Sequence, residues 1–473
     1  MQKKHYLCTE LIMYRMKNHR LIYCLLLGYF PLFLCAATIT GTLPVVYMTT
    51  DDGLAITDKE TYKAGKVYID PLNTDKAALG SSDAPLAAEL KGRGNYTWRD
   101  FDKKPYKIKF AKGQSVFGLP KNKHWVLLAG ADDDLGFLRN PAGFAVSRAV
   151  GLRWTPAIEP VELVLNGQYQ GLYFLVEHVR IDPNRVNILE QEDGETDTQL
   201  ITGGWLVEID NYESENNIKF REGNEQDVMV SLDEPEVLSA VQRNYIVGQV
   251  NAINSALYGD NSAQLEQLID ITEAAKFYLV QEILEDCESY HGSCKLYKDR
   301  DTLSTPDKWK FGPVWDFGNA YIRHKEQWIY IDPSWPQYWI GQLATWPVFQ
   351  QAVKEQWWIF YHEHITEVST ELRAFANRIE TAAKNDANVW RNTRNYKNNS
   401  NFTEVRDRFF RRYSWRVQWL YQQWGEGIKP AGWAIDEVES EESQAKSQKI
   451  LRDGQLLILR GEKIYDARGT QIQ

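Results

Sequence analysis

Asn166-Gly167 stands between two apolar runs, Val161 to Leu165 and Gly171 to Val176. A two-residue Asn-Gly connection takes positive φ at both positions and matches the right-handed twist of paired strands, so this stretch predicts a β-hairpin. Its register is set by the turn, because a slip of one residue would carry every apolar side chain to the opposite face. Other segments with a period of two precede it. From Val45 to Asp70 short apolar runs alternate with turns such as Asp51-Asp52-Gly53, which reads as edge strands. Over residues 104 to 110, Lys107 and Lys109 fall on one face and Tyr106, Ile108 and Phe110 on the other, the pattern of a half-buried strand.

The period then changes. Asn140-Pro141 opens and Gly151 closes a predicted helix over Arg139 to Leu152. A further strand is expected at Gly204 to Ile209, followed by helical patterns from Pro235 to Glu285. Amphipathic helices rich in Trp, Tyr and Arg follow at Phe349 to Arg378 and Phe402 to Trp424, separated by polar Asn392 to Asn401. The fold class is therefore α+β, with a β-rich part over 38–190 and a mostly helical part over 191–424. A linker over 425–449 carries the acidic run Glu437 to Glu442, and a short β-like tail over 450–473 contains Asp453-Gly454 and Arg460-Gly461 turns.

At 473 residues the chain can bury a substantial core, and 43% hydrophobic residues exclude a disordered protein. A net charge of -10 disfavours nucleic acid as a general partner, so any anion must be gripped locally. Lys17, His19 and Arg20 precede the apolar run Leu21 to Leu34 and the small residues Ala36 and Ala37, which marks 1–37 as an export signal. The run falls short of the roughly 20 residues of a membrane span, leaving an uncleaved anchor as the lesser reading. The expected location is periplasmic, outer-membrane-associated or secreted. Membrane attachment would come only through a lipid anchor at Cys35, although Leu32-Phe33-Leu34 lacks the small residues such a signal shows. Beyond the signal only Cys287 and Cys294 remain, either paired in an oxidising compartment or left as buried thiols.

Two distant segments carry chemistry. Lys91-Gly92-Arg93-Gly94-Asn95 is a glycine-rich turn ahead of the strand with Lys107 and Lys109, and Asp316-Phe317-Gly318-Asn319 follows an apolar strand expected over Phe311 to Trp315. Such a turn brings backbone N–H groups to phosphate oxygens, a strand lysine pairs with them, and an aspartate at a strand end holds magnesium. Together they point to phosphoryl transfer.

These segments, with Leu138-Arg139-Asn140, Asn166 to Glu177, Tyr297-Lys298-Asp299 and Gly312 to Phe317, resemble the spore-coat-protein-H (CotH) kinase family over about Val45 to Trp424. The resemblance implies an atypical protein-kinase-like fold of two lobes, with ATP and Mg²⁺ or Mn²⁺ between them and γ-phosphate passing to Ser or Thr hydroxyls of envelope or secreted proteins. It implies a phosphate loop at Gly92, Arg93 and Gly94, a phosphate-neutralising Lys107 or Lys109, cleft-lining Arg139, an adenine-side hinge at Glu177 whose flanking backbone would bond the base, and metal binding by Asp316. The acids Asp132, Asp133 and Asp134 read as charges favouring a helix N-terminus.

The chain departs from the family between Gln281 and Ser293. Aligned there, the usual asparagine is Asp286 and the usual catalytic aspartate is Glu288, one methylene longer. Asp286 is then an alternative base, His291 a further titratable neighbour, and Ser293 falls where protein kinases place a metal-binding asparagine. Gly318 stands where relatives often carry another acid. Two other readings follow: a nucleotide-binding pseudokinase or scaffold, and a glycan-binding surface protein using some of the 17 Trp and 25 Tyr.

Overall fold

Seven of the strands close on themselves. In a computed structural model of the chain, which describes residues 38–210, 218–221, 227–332, 338–398, 401–431, 447–452, 455–460, 463–466 and 471–472, they run in the order β1-β2-β3-β4-β5-β7-β6. The strands are β1 Val45–Thr50, β2 Lys63–Asp70, β3 Leu86–Gly92, β4 Tyr106–Gln114, β5 Asn122–Leu128, β6 Ile158–Leu165 and β7 Gln168–Glu177. Every neighbouring pair is antiparallel except β1 and β6, which close the barrel in parallel. The expectation of edge strands at β1 and β2 is thus corrected, since closure removes the edge. No local pattern in β1 announces that its other partner lies more than a hundred residues on.

The hairpin forms as predicted: Asn166 and Gly167 have φ of 50° and 76°, and Leu165 pairs with Gln168. On β4, Tyr106, Ile108 and Phe110 are buried among Val46, Leu90, Trp125 and Leu175 inside the barrel, while Lys107 and Lys109 stay on the outer face. Short α1, Tyr96–Asp100, follows β3, and α2, Arg139–Ala149, lies between β5 and β6.

A second, fully antiparallel sheet has the order β12-β11-β8-β10-β9, from β8 Trp205–Ile209, β9 Ile218–Arg221, β10 Asp227–Glu234, β11 Cys294–Lys298 and β12 Lys310–Phe311. The strand expected over Phe311 to Trp315 stops after Phe311. Pro313 has no N–H with which to continue the ladder, so Val314 to Asp316 form a loop.

The helices are α3 Ala240–Tyr258, α4 Ser262–Leu268, α5 Ile271–Leu284, α6 Tyr338–Leu343, α7 Pro347–Ile359, α8 Ile365–Trp390 and α9 Phe402–Trp424, with a π turn at Phe360–His364. Helix α3 starts with a reciprocal cap between Ser239 and Gln242. Helix α5 is buried on all sides and packs against α2, α7 and α9. At its end the buried Glu282 carboxylate accepts from Arg416 of α9 at 2.6 Å, fixing the start of the following loop. Lys103 and Asp386, both with fully buried side chains, form an ion pair of 2.8 Å that ties the barrel to α8.

The tail contributes β13 Ser447–Arg452, β14 Gln455–Arg460 and β15 Lys463–Asp466. The segment expected to be an export signal, with Cys35, the acidic run and the Asp453-Gly454 turn lie outside the described residues. Cys287 and Cys294 are free buried thiols rather than a disulfide, and burial pushes both pKa values up, that of Cys287 to about 12. The aromatic residues of the helical part largely pack on one another: Trp328 meets Trp419 and Trp424 at 4.7 and 4.9 Å between ring centres, and Trp357 meets Trp424 at 5.4 Å.

Candidate active site

The outer face of β3 to β5 looks across a cleft of about 960 Å³ toward the second sheet and the loops beside it. Cross-strand pairing sets the upper wall, because Lys91 is opposite Lys107 and Lys109 is opposite both Glu89 and His124. Lys107 and Asp316, far apart in sequence, line this one cavity. The two strand lysines differ in environment. Lys109 is 39% exposed and ion-paired to Glu89 at 2.9 Å. Lys107 has no ion pair among the described residues, and burial, together with Lys91 and Arg93, pulls its pKa down to about 8. An uncompensated, half-buried ammonium is poised to accept an anion.

The glycine-rich turn works differently from the expected phosphate cradle. The N–H groups of Gly92 and Arg93 are already donated to Asp58 O at 3.0 Å and Pro105 O at 3.2 Å. Gly92 does not line the cleft, and a Cβ on it would lie 2.3 Å from the Trp98 ring. Gly94 does line it, at a φ of 81° that favours glycine. What the turn presents to the cavity is the Arg93 side chain, its guanidinium 5.6 Å from the centre of the Trp315 ring.

Asp316 is exposed on the opposite wall, with φ of 56° and its carboxylate accepting from Gly318 N at 3.2 Å. Helix α2 holds the loop: Phe317 donates its N–H to Asn140 Oδ1 at 3.1 Å, and its ring lies over Gly143. A Cβ at 143 would fall 2.1 Å from that ring. Gly143→Ala should therefore lose up to about 2 kcal/mol, because overpacking of about 1–3 kcal/mol is set against a gain in helix propensity of about 1 kcal/mol and a 2.1 Å approach to the ring lies at the severe end. A urea midpoint equal to or above that of the unaltered chain would contradict this contact.

Arg139 does not line the cleft. It is buried, donating Nε to Ala320 O at 2.8 Å, Nη1 to Asp132 O at 3.1 Å and Nη2 to Asp134 at 2.6 Å. Its guanidinium fastens the 132–134 loop to the 316–320 loop, a positioning role. Glu177 likewise turns away from the cleft, accepting from Ala157 N at 3.0 Å and pairing with Arg185 at 3.5 Å. Its neighbours His178 and Val179 line the cavity instead.

Of the two candidate bases, Glu288 lines the cleft and Asp286 does not. Asp286 is fully buried, capped by Ser289 Oγ at 2.7 Å, and burial pushes its pKa up to about 8. The Glu288 carboxylate accepts from Asn319 Nδ2, and burial with nearby Asp316 raises its pKa to about 7. Ser293 lines the cleft at φ of 54°, whereas His291 is buried off it.

Two features escape the sequence reading. Lys295 of β11 is clamped between Glu208 at 2.5 Å and Asp233 at 2.6 Å, which holds its pKa well above the ordinary lysine value. Asp132 lines the cleft, while its neighbours Asp133 and Asp134 bond Arg139 as the helix-start reading expects. Its pKa rises to about 6, first through burial and then through Asp316 and Asp133. Nothing in a run of three aspartates says which one faces inward.

Among the described residues no group of three or more His, Cys, Asp and Glu gathers into a metal cage. The donor chemistry still suits magnesium, which is commonly held by one or two carboxylates with phosphate oxygens completing its shell. A cationic wall facing an acidic one can take a polyphosphate and a divalent cation between them. No curated protein matches the chain. The family described as CotH kinase protein matches residues 90–420, so a chain with this charged cleft belongs to the CotH kinase family.

Proposed function

We propose that the protein is an exported protein kinase with a two-lobed, kinase-like layout, passing the γ-phosphate of ATP to Ser or Thr hydroxyls of envelope or secreted proteins. The observation that carries this reading is the one cavity lined both by Lys107, which has no ion pair among the described residues, and by Asp316. Lys107 and Arg93 would meet the phosphates from above. Asp316, with Ser293 of the same cleft, would hold Mg²⁺ or Mn²⁺, which would supply neutralisation of charge on the phosphate oxygens. Glu288 would take the proton of the attacking hydroxyl as its oxygen bonds to the γ-phosphorus and the bond to the ADP oxygen breaks. Asn319, which donates to the carboxylate, would hold the longer side chain at the cleft wall. Export rests on the basic-then-apolar start of the chain, and among the described residues no helix is long and apolar enough to cross a membrane.

The test is transfer of labelled phosphate from ATP to a Ser/Thr protein acceptor, with Mg²⁺ or Mn²⁺, across pH. Glu288 must be ionised to act, so a pKa raised to about 7 removes the base below that pH. Lys107 must be charged, so a pKa lowered to about 8 removes the phosphate contact above it. The expected kcat/KM profile is a narrow bell between these values, reporting the free enzyme. Thermal stabilisation by ATP and metal without any transfer would favour the pseudokinase reading. Absence of both would remove the nucleotide site altogether.

A further inference from the structure

Gly318 sits between two carboxylates. An added Cβ there would lie 2.9 Å from Asp132 Oδ2 and 3.2 Å from Asp316 Oδ1. Oxygens from two loops, separated by nearly two hundred residues of chain, thus converge on one point at the cleft wall, where a side chain at 318 would otherwise stand. Like charges so placed repel each other unless a cation lies with them. Among the described residues neither carboxylate has a direct ion pair: Arg139 spends its side chain on Asp134, Asp133 and backbone carbonyls, and Arg93, whose charge both acids help to sustain against burial, stacks over Trp315 without pairing with either. The convergence is also braced. Arg139 bonds Asp132 O and Ala320 O together, and Asn140 accepts from Phe317 N, so the first residues of α2 hold both acid-bearing loops in register.

We infer that Asp132 is the second carboxylate for the divalent cation of this cleft, supplying from the α2 side the acid that position 318 lacks. The inference rests on the nucleotide reading of the cleft. It divides the three aspartates by role: Asp133 and Asp134 secure Arg139, and Asp132 faces the ion. It also gives Gly318 a purpose, since any side chain there would displace the Asp132 carboxylate. Two carboxylates with phosphate oxygens form an ordinary oxygen shell for Mg²⁺ or Mn²⁺.

The experiment is a titration with Mn²⁺ followed by the paramagnetic signal of the free ion, with a non-hydrolysable ATP analogue present. The variants are Asp132→Asn, Gly318→Asp and the double change Asp132→Ala with Gly318→Asp. Asp132→Asn should weaken Mn²⁺ binding by about 10- to 100-fold, on the scale seen when groups supporting a metal are removed. Its binding of the analogue without metal should stay within about twofold of the unaltered chain, which checks that the cleft is folded. Gly318→Asp alone should not tighten Mn²⁺, because the new side chain meets Asp132. The double variant should regain most of the lost affinity, since the acid has been moved rather than removed. Unchanged Mn²⁺ affinity in Asp132→Asn, with the analogue bound, overturns the inference alone. Failure of the unaltered chain to bind the analogue overturns the reading of the cleft and the inference with it.

Discussion

Asp316→Ala should reduce phosphate transfer by on the order of 10³-fold or more while leaving the fold intact. The magnitude follows from what the carboxylate would do. Loss of one group that stabilises transition-state charge costs about 10²–10³ in rate, and here the cation's own contribution would go with it. Stability should move little, because Asp316 is exposed and its one hydrogen bond among the described residues is from the nearby Gly318 N–H. Urea denaturation should place the variant within about 1 kcal/mol of the unaltered chain, a little more than an ordinary surface change because Ala tolerates the φ of 56° less well than Asp. The Glu288 titration should also move down, since Asp316 is the second cause of its elevation after burial. In the variant, the low-pH limb of whatever transfer remains should therefore shift to lower pH. Labelling equal to that of the unaltered chain would remove Asp316 from the chemistry.

The second large effect concerns stability. Asp386→Ala should cost about 3–5 kcal/mol, the scale for leaving one partner of a buried ion pair uncompensated. The Asp386 carboxylate is enclosed, meeting Lys103 at 2.8 Å and accepting from Leu172 N at 2.8 Å and Tyr396 Oη at 2.5 Å. Burial would otherwise drive the Lys103 ammonium toward its neutral form, and Asp386 is the largest influence opposing this. Exchanging both partners, Lys103→Met with Asp386→Leu, should recover part of the loss by replacing the pair with apolar volume. Leu172 N would still lack its acceptor, which costs about 1–3 kcal/mol. Chemical denaturation of both variants measures this, and a single-variant loss below about 1 kcal/mol would show that the pair is not a fastening of barrel to helix.

Local patterns made much of the architecture legible. The Asn166-Gly167 turn fixed its hairpin, and alternation over residues 104 to 110 placed Lys107 outward and Ile108 inward. Pairings across long stretches of chain were not legible. Closure of β1 onto β6 depends on the curvature of the whole sheet, which no window of residues encodes. The site divided in the same way. Asp316, Lys107 and Glu288 stood out by residue type and resemblance, and all three line the cleft. Arg139, Glu177 and Asp286 carried the same appearance of function, yet their side chains are spent on loop fastening, on Arg185 and on Ser289. A charged residue in a motif does not reveal which way its side chain turns, and only packing decides that. Asp132 is the converse case, an inward-facing residue hidden in a run of like neighbours.

The thiols have a practical consequence. Cys287 and Cys294 are reduced and enclosed, and burial keeps both in the unreactive protonated form. The described part of the chain thus reaches its final shape without oxidative folding machinery. Residues 38–473 expressed in a reducing bacterial cytoplasm, or refolded in dithiothreitol, should match material folded under oxidising conditions, which opens a simple route to the quantities that metal titrations require.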